Sequence, residues 1–231
     1  MQVPSQSISL FLDSLECSEG GKHAYFRVFK VFYTWLYSRK SGYHLNPQDN
    51  PILFIDPPKV GKRILPSLTM EQVDDLIQTA DNTRDKCIIS LLADSGMRLS
   101  ELTSVRSSDI DWESQTITII GKGNKQRRAP FTQRTTNLLK IYLYRNGQYR
   151  GNIWGINQYG VQKVLKTLGL ITSIKCNPHA FRRGFACNLH RKGLSTLDIM
   201  HLGGWSDLSM VLRYTRSITF DDCLEHYREL E

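Results

Sequence analysis

The sequence predicts a mainly helical protein that carries one small antiparallel β-sheet. Apolar residues recur at helical spacing in several long segments, whereas residues 115–131 alternate as the strands of a β-hairpin do. A proline-rich basic segment separates a short first part from a longer second part. The chain of 231 residues is long enough for two domains. We expect a short helical domain over residues 1–56, a linker over 57–66 and a second domain over 67–231.

The first part contains two predicted helices, over residues 8–15 and 22–39. The second helix is rich in aromatic residues, and a buried face is predicted from their i, i+4, i+7, i+11 spacing. The residues of this face are Tyr25, Phe29, Phe32 and Leu36. Because Arg27 and Lys30 lie on the opposite side, the helix presents a basic face to solvent, where phosphates can bind.

The predicted linker belongs to a segment with five prolines, "LNPQDNPILFIDPPKVGKRILPSL" (residues 45–68). Proline fixes φ and lacks a backbone N–H, so a regular helix or a central strand is disfavoured here. Lys59, Lys62 and Arg63 make the segment basic. We therefore expect an extended connection that places positive charge beside a polyanion.

The second part opens on a clear helix start, where Thr69 and Gln72 form a predicted capping box and Leu68 and Val73 a hydrophobic staple. "GKGN" supplies a turn in the hairpin of residues 115–131, and "DIDWE" is interpreted as a turn into it. The helices predicted after Thr69 cover residues 70–80, 84–94, a short piece from 100, 133–145, 158–168, 179–192, 195–202, 207–214 and 219–230.

Composition favours a partner that carries many negative charges. The chain has 30 Lys and Arg against 22 Asp and Glu, a formal net charge of +8, and residues 121–150 hold eight basic side chains and no acid. Neutralising phosphates releases counterions and gives strong, salt-dependent binding. A solvated basic surface is the alternative interpretation. No apolar run is long enough for a membrane span, and the acidic N-terminal segment does not resemble a signal peptide.

The five cysteines are scattered and odd in number, without the spacing of metal ligands. This pattern favours reduced thiols and a cytoplasmic location. We expect no metal and no other cofactor.

"PHAFRRGF" (residues 178–185) places two polar functional groups on one face of a predicted helix. His179 and Arg182 are three residues apart and point the same way, while Phe181 and Phe185 face a core. An imidazole beside a guanidinium is suited to a phosphate. His179 follows a proline, however, and a role as a helix cap is the alternative.

Four stretches, in this order, resemble the motifs of tyrosine recombinases, the phage-integrase family, and of its Xer-like members in particular. Lys122 lies 24 positions after Arg98, and Tyr214 lies nine after Trp205, as in that family. The resemblance covers residues 67–231 and implies a recombinase catalytic domain, preceded here by a short helical domain that resembles the family's core-binding domain. The stretches are "SGMRLSEL" (95–102), "GKGNKQR" (121–127), "HAFRRGF" (179–185) and "HLGGWSDLSMVLRYT" (201–215).

The resemblance implies a role for each matching side chain. Arg98 and Arg182 would hold the scissile phosphate, since a guanidinium donates two parallel hydrogen bonds to it. Tyr214 would attack phosphorus and form a 3′-phosphotyrosyl link. Lys122 would protonate the departing 5′ oxygen, and His179 would assist proton transfer or bind the phosphate.

Two further matches leave more than one interpretation open. Glu101 resembles the family's supporting carboxylate, which orients Arg98, although an i, i+3 pair of this kind is also common on exposed helices. Trp205 stands where the family most often has His. Its indole N–H can donate one hydrogen bond to a phosphate, but the ring can equally buttress Tyr214 by packing.

The lysine that acts as general acid is also open, because Lys125 lies three residues after Lys122 in the same turn. The position relative to Arg98 favours Lys122. Arg183 is expected to face a DNA backbone or solvent. The predicted DNA contacts outside the catalytic set are Arg27, Lys30, Lys59, Lys62, Arg63, Lys125, Arg127 and Arg183.

The function implied by the resemblance is site-specific recombination by cleavage and rejoining of double-stranded DNA. The family assembles as a tetramer on two DNA sites, sometimes with accessory DNA-bending proteins, and the apolar stripe of residues 219–230 would pack on its own or on a neighbouring protomer. A type IB topoisomerase-like enzyme uses similar residues, and a non-catalytic DNA-binding protein or regulator with this fold is the third hypothesis.

Overall fold

The computed structural model describes residues 3–61, 65–120, 126–146 and 151–228. By its internal contacts the chain divides into two units, Met1–Arg63 and Ile64–Glu231. The division falls inside the segment predicted as a linker. In the ranges that the structure describes, no helix is long and apolar enough to cross a membrane.

The first unit is built on two helices, α1 (Ser5–Ser14) and α2 (Glu19–Leu36). Short 3₁₀ turns follow at Arg39–Ser41, Pro47–Asp49 and Pro51–Phe54. Its small core joins α1, α2 and the last of these turns, and consists of Ile8, Leu12, Phe26, Tyr33, Tyr37 and Ile52.

The buried face predicted for α2 is partly wrong. Tyr25 and Phe32 are each 48% exposed, whereas Phe26 and Tyr33 are buried. Phe29 and Leu36 are partly buried, as members of both stripes. Aromatic residues cover most of the circumference of α2, so their spacing alone does not select a face. The side that is buried is the one that α1 and the turn Pro51–Phe54 cover.

The second unit contains the small sheet, with strands β1 (Ile110–Asp111), β2 (Thr116–Ile120) and β3 (Gln126–Pro130). The strands are antiparallel and in the order β1-β2-β3, which confirms the predicted fold class. Strand β1 was not predicted, because the segment "DIDWE" was interpreted as a turn only. Two residues of that segment pair with β2 before the Asp111 carboxylate accepts the backbone N–H groups of the turn that follows.

Helix α4 lies at the centre of the second unit. Ile88, Ile89, Leu91 and Leu92 on it are completely buried, because α3, α6 and α8 pack around it. The helices of this unit are α3 (Met70–Thr79), α4 (Thr83–Ser95), α5 (Leu99–Leu102), α6 (Gln133–Asn146), α7 (Gln158–Thr172), α8 (Pro178–Arg191), α9 (Thr196–Gly203), α10 (Leu208–Tyr214) and α11 (Phe220–Arg228).

A second, smaller apolar cluster joins α8, α9 and α10. Its buried members are Phe185, Ala186, Ile199, Trp205 and Val211. Phe181 of α8 packs in the main core, and Phe185, one turn later, packs in this second cluster. These two contacts fix the rotation of α8 about its axis, and therefore the direction of its polar face.

The capping box predicted at the start of α3 is confirmed. Thr69 Oγ1 accepts the backbone N–H of Gln72, and the Gln72 side chain accepts the backbone N–H of Thr69. Leu68 and Val73 are both buried in the main core.

We expect Thr69→Ala to lower the free energy of unfolding by about 1 kcal/mol, because one backbone N–H of the first turn loses its acceptor. Thr69→Ser keeps the hydroxyl and serves as the matched control. Urea titrations followed by circular dichroism measure both variants. Equal losses in the two variants would show that the Thr69 methyl group, and not the cap, carries the effect.

Candidate active site

Arg98 is held at the start of α5 by Glu101. The Glu101 carboxylate accepts the backbone N–H of Arg98 at 2.8 Å and the Arg98 guanidinium Nη1 at 2.8 Å. The Arg98 side chain is half exposed, whereas the Glu101 side chain is only 3% exposed. The alternative of an exposed surface pair therefore does not describe this contact: the carboxylate is buried and the arginine extends from it towards solvent.

Glu101 stays ionised although it is buried. Burial raises the pKa of this carboxyl, but the backbone hydrogen bond from Arg98, the charge of Arg127 and the side-chain hydrogen bonds from both arginines outweigh it and hold the pKa below its ordinary value. Arg127 Nη2 donates to Glu101 Oε2 at 2.9 Å. One buried carboxylate thus orients two guanidinium groups.

Gly96 makes the turn between α4 and α5 possible. It adopts a left-handed conformation with φ of 53°, and a Cβ built there would lie 2.6 Å from the Phe185 ring. Any larger residue would be strained and would collide with α8. The same turn directs the Gly96 carbonyl at Arg182.

Arg182 lies at the bottom of the site. It is buried and donates hydrogen bonds to the carbonyl oxygens of Gly96 and, at 3.1 Å, Gly203. Its guanidinium carbon lies 4.5 Å from the centre of the Trp205 ring, in a cation–π contact. Burial, and then the nearby charge of Arg98, lower the pKa of Arg182 to about 10. The arginine remains charged at neutral pH.

His179 is exposed on α8, one turn before Arg182. The helix cap is a different residue: the side chain of Asn177 accepts the backbone N–H of Ala180 at 3.0 Å. The alternative that His179 caps its own helix is therefore wrong. Its imidazole is left facing the cleft.

Trp205 connects Arg182 to Tyr214. The centres of the Trp205 and Tyr214 rings lie 5.4 Å apart, and the Phe185 ring also packs near the tryptophan, at 6.1 Å. Within the part of the chain that the structure describes, the buried indole N–H of Trp205 has no hydrogen-bond partner. Tyr214 is partly buried at the end of α10.

These side chains meet at one cleft of about 850 Å³. Lys122 and Lys125 lie outside the described residues, as do Lys62 and Arg63. The predicted catalytic residues that line the cleft are Arg98, His179, Arg182, Trp205 and Tyr214.

Further polar side chains in the wall of the cleft were not predicted from the sequence. Gln162 and Lys166 of α7 lie there, with Lys175 from the loop before α8. The first two are four residues apart, which is the spacing of neighbours on one helix face, so the signal was present. The spacing alone does not show which side of α7 lines the cleft, so the sequence did not identify these residues as part of the site.

Two basic residues predicted to contact DNA have internal partners. Arg183 was expected to face DNA or solvent, but it is buried and its Nε donates to the Pro66 carbonyl at 2.8 Å. Its burial lowers the pKa of its guanidinium. Arg127 is also turned inwards, to Glu101. In the first unit, Arg27, Lys30 and Lys59 are exposed, as a surface that contacts DNA requires.

Residues 66–219 match the family described as the phage integrase family. The match covers more than half of the chain. This chain is a member of that family.

The integrase-family chain is 34% identical over 171 residues to the tyrosine recombinase XerA of Pyrococcus furiosus, covering 69% of this chain and 60% of that protein. It is 31% identical over 192 residues to XerC of Chlamydia caviae, covering 72% and 61%. The chain thus spans about 60% of the length of these relatives. A crystal structure of XerH recombinase bound to difH is similar in fold, with a TM-score of 0.77 at 18% identity, covering 97% of this chain and 69% of that one.

We expect Glu101→Gln to lower the free energy of unfolding at neutral pH by about 3 kcal/mol, because the largely buried Arg127 and the half-exposed Arg98 both lose their counter-charge. The same substitution should also reduce the pH dependence of the free energy of unfolding. The folded-state pKa of Glu101 is below its ordinary value of 4.5, so its contribution to stability is present above that value and is lost as the pH falls through the folded-state pKa.

Urea titrations at about pH 6 and about pH 3 measure this dependence, with Glu113→Gln as the control for an exposed carboxylate. A variant Glu101→Gln that loses as much stability on acidification as the wild type would contradict the prediction.

Proposed function

We propose that this chain is a site-specific DNA recombinase that cleaves and rejoins DNA strands through a covalent link to Tyr214. The observation that carries the proposal is the single cleft where Arg98, His179, Arg182 and Trp205 surround Tyr214. Positively charged side chains around a tyrosine suit phosphoryl transfer, because negative charge develops on the non-bridging oxygens of the phosphate in the transition state.

In the proposed cleavage step each of these groups, and one lysine of the β2–β3 connection, has a separate role. Tyr214 Oη attacks phosphorus, the bond from phosphorus to the 5′ oxygen breaks, and the tyrosine becomes linked to the 3′ phosphate. The phenol proton passes to His179, and Lys122 or its neighbour Lys125 protonates the departing 5′ oxygen. Rejoining reverses the same steps from a new 5′ hydroxyl, so the number of phosphodiester bonds is conserved.

Arg98 and Arg182 contribute differently to binding the phosphate. Arg182 is rigid, since two carbonyl oxygens and the Trp205 ring hold it in place. Arg98 is half exposed and anchored at one end by Glu101. A guanidinium fixed before the substrate arrives requires little reorganisation during the reaction.

For Trp205 we propose both roles that the sequence left open. The ring packs on Tyr214 and Arg182. The buried indole N–H has no acceptor among the described residues. Burying an N–H without a partner is unfavourable, and a non-bridging phosphate oxygen provides the acceptor.

Double-stranded DNA is the proposed partner, with a tetramer on two sites as the working assembly. Arg27, Lys30 and Lys59 give the first unit an exposed basic surface that suits a core-binding role. In the C-terminal stripe Phe220 and Tyr227 are 77% and 62% exposed. This exposure favours packing on a neighbouring protomer over packing on the same chain. Leu230 of the stripe lies outside the described residues.

We expect Tyr214→Phe to abolish covalent capture of DNA, because the nucleophilic oxygen is removed. The protein is incubated in EDTA with sheared DNA of its source organism and denatured in SDS, and the protein-linked DNA is sequenced. Tyr144→Phe is the matched control, since Tyr144 is 91% exposed on α6 and away from the cleft.

An adduct that survives in Tyr214→Phe would mean that another tyrosine is the nucleophile. Enrichment of one sequence favours a recombinase, whereas unselective adducts with relaxation of supercoils favour the topoisomerase hypothesis. Salt-sensitive binding without an adduct, also on a nicked substrate that prevents rejoining, would support the non-catalytic DNA-binding protein.

We expect Trp205→Phe to slow adduct formation by roughly 100-fold, the typical effect of removing one donor to a developing negative charge. Trp205→His keeps a ring N–H and should lose much less. Single-turnover cleavage of the captured DNA site measures both. If Phe and His behave alike, Trp205 acts by packing alone.

A further inference from the structure

Strand β3 turns one of its two adjacent arginines inwards. The Arg127 side chain is 15% exposed and lies on the face of the sheet that Ala129 shares, whereas Arg128 points the other way and donates to Ser114 and Thr116. Alternation along a strand explains the difference. The two arginines therefore have the same chemistry and opposite surroundings.

Arg127 connects three parts of the second unit. Its Nη2 donates to Glu101 Oε2 at 2.9 Å, and its Nη1 donates to the Leu202 carbonyl at 3.4 Å. The first contact reaches α5 and the second reaches the end of α9. Arg127 itself stands on β3, directly after the connection that contains Lys122 and Lys125.

The backbone of Gly204 lies directly against the Arg127 side chain. It has φ of 61°, and a Cβ built there would lie 2.3 Å from Arg127 Cδ. The next residue is Trp205, whose backbone N–H closes the end of α9 on the Met200 carbonyl. The guanidinium thus packs against the backbone of the turn from which the tryptophan and then the tyrosine segment continue.

The charges around Arg127 do not cancel. Besides burial, the charges of Arg98 and Arg127 both lower the pKa of Arg182, and Glu101 is the acid that acts on it. Their sum is 3 − 1 = +2. Arg127 Nη2 donates to Glu101 Oε2, the oxygen that also accepts the Arg98 backbone N–H, whereas the Arg98 guanidinium donates to Oε1 through Nη1 alone and keeps its exposed end for an anion.

We infer that Arg127 is a positioning residue of strand cleavage: it fixes Glu101, and through it Arg98, relative to the turn Leu202–Trp205 that leads to Tyr214. The inference rests on the proposed function and extends it to a residue that does not touch DNA. In this role Arg127 aligns Arg98, which binds the phosphate, with the segment that carries Tyr214. Arg127 makes no direct contact with DNA and so does not contribute to the affinity for it.

The rate of cleavage separates this role from a DNA contact. On the DNA site captured by the wild type, Arg127→Met should slow adduct formation at saturating DNA by roughly 100-fold, the scale expected when reacting groups are misplaced by about 1 Å, with the Kd for DNA nearly unchanged. Arg127→Lys, which keeps one charge but cannot bridge two acceptors, should fall between. Arg128→Met is the matched control and should react as the wild type. A weakened Kd with an unchanged rate would overturn the inference.

A modified substrate separates alignment from an effect on the general acid. A 5′-bridging phosphorothiolate at the cleavage site leaves as a thiolate and needs no protonation. The loss in Arg127→Met should persist on this substrate. Recovery of the rate would mean that Arg127 acts through the lysine of the β2–β3 connection, and would overturn the inference.

Hydrogen exchange without DNA tests the geometry independently of the proposed function. Amides of residues 199–205 and 98–103 should exchange faster in Arg127→Lys than in Arg128→Met, with the melting transition unchanged. Equal exchange in these segments would overturn the inference even if the wild type cleaves DNA. If the wild type forms no adduct, the proposed function fails, while the exchange experiment still decides whether Arg127 holds the turn.

Discussion

The geometry of the site depends on one buried carboxylate. Glu101 is nearly inaccessible to water, so its charge is stable only while hydrogen-bond donors surround it. Two of the donors come from Arg98, in the same turn, and one from Arg127, on another element. Satisfying this one group brings the start of α5 and the strand β3 together. Because the Arg127 guanidinium also donates to the Leu202 carbonyl, the same set of contacts extends to the end of α9.

The site concentrates positive charge and neutralises little of it. Arg182 is buried with carbonyl oxygens and an aromatic ring around it. Dipoles and a π face stabilise a cation only partly, so the free energy of this arrangement falls when an anion arrives. The buried indole N–H of Trp205, which has no acceptor among the residues that the structure describes, has the same requirement. Holding such groups in place before the anion binds lowers the free energy of unfolding. Packing of the apolar cluster of α8, α9 and α10 offsets this loss.

Two glycines make the close approach possible. Gly96 and Gly204 both have positive φ, and both stand where a Cβ would overlap a side chain of the site. The carbonyls of Gly96 and Gly203 then point at the same guanidinium. The turns that end α4 and α9 thereby serve as the acceptors of Arg182. A larger residue at either position would push apart the elements that line the cleft.

The sequence alone determined the local structure, the order of the motifs and the face that His179 and Arg182 share, because helical period, capping and turn residues act over a few neighbours. The tertiary structure decided what the charged and aromatic residues contact. Arg127 finds its carboxylate 26 residues away, and Arg183 finds its carbonyl 117 residues away. A guanidinium can donate hydrogen bonds to a carboxylate, a carbonyl or a phosphate, so the residue type alone does not say which of them it contacts. The buried side of α2 was settled in the same way, by the neighbour that packs on it.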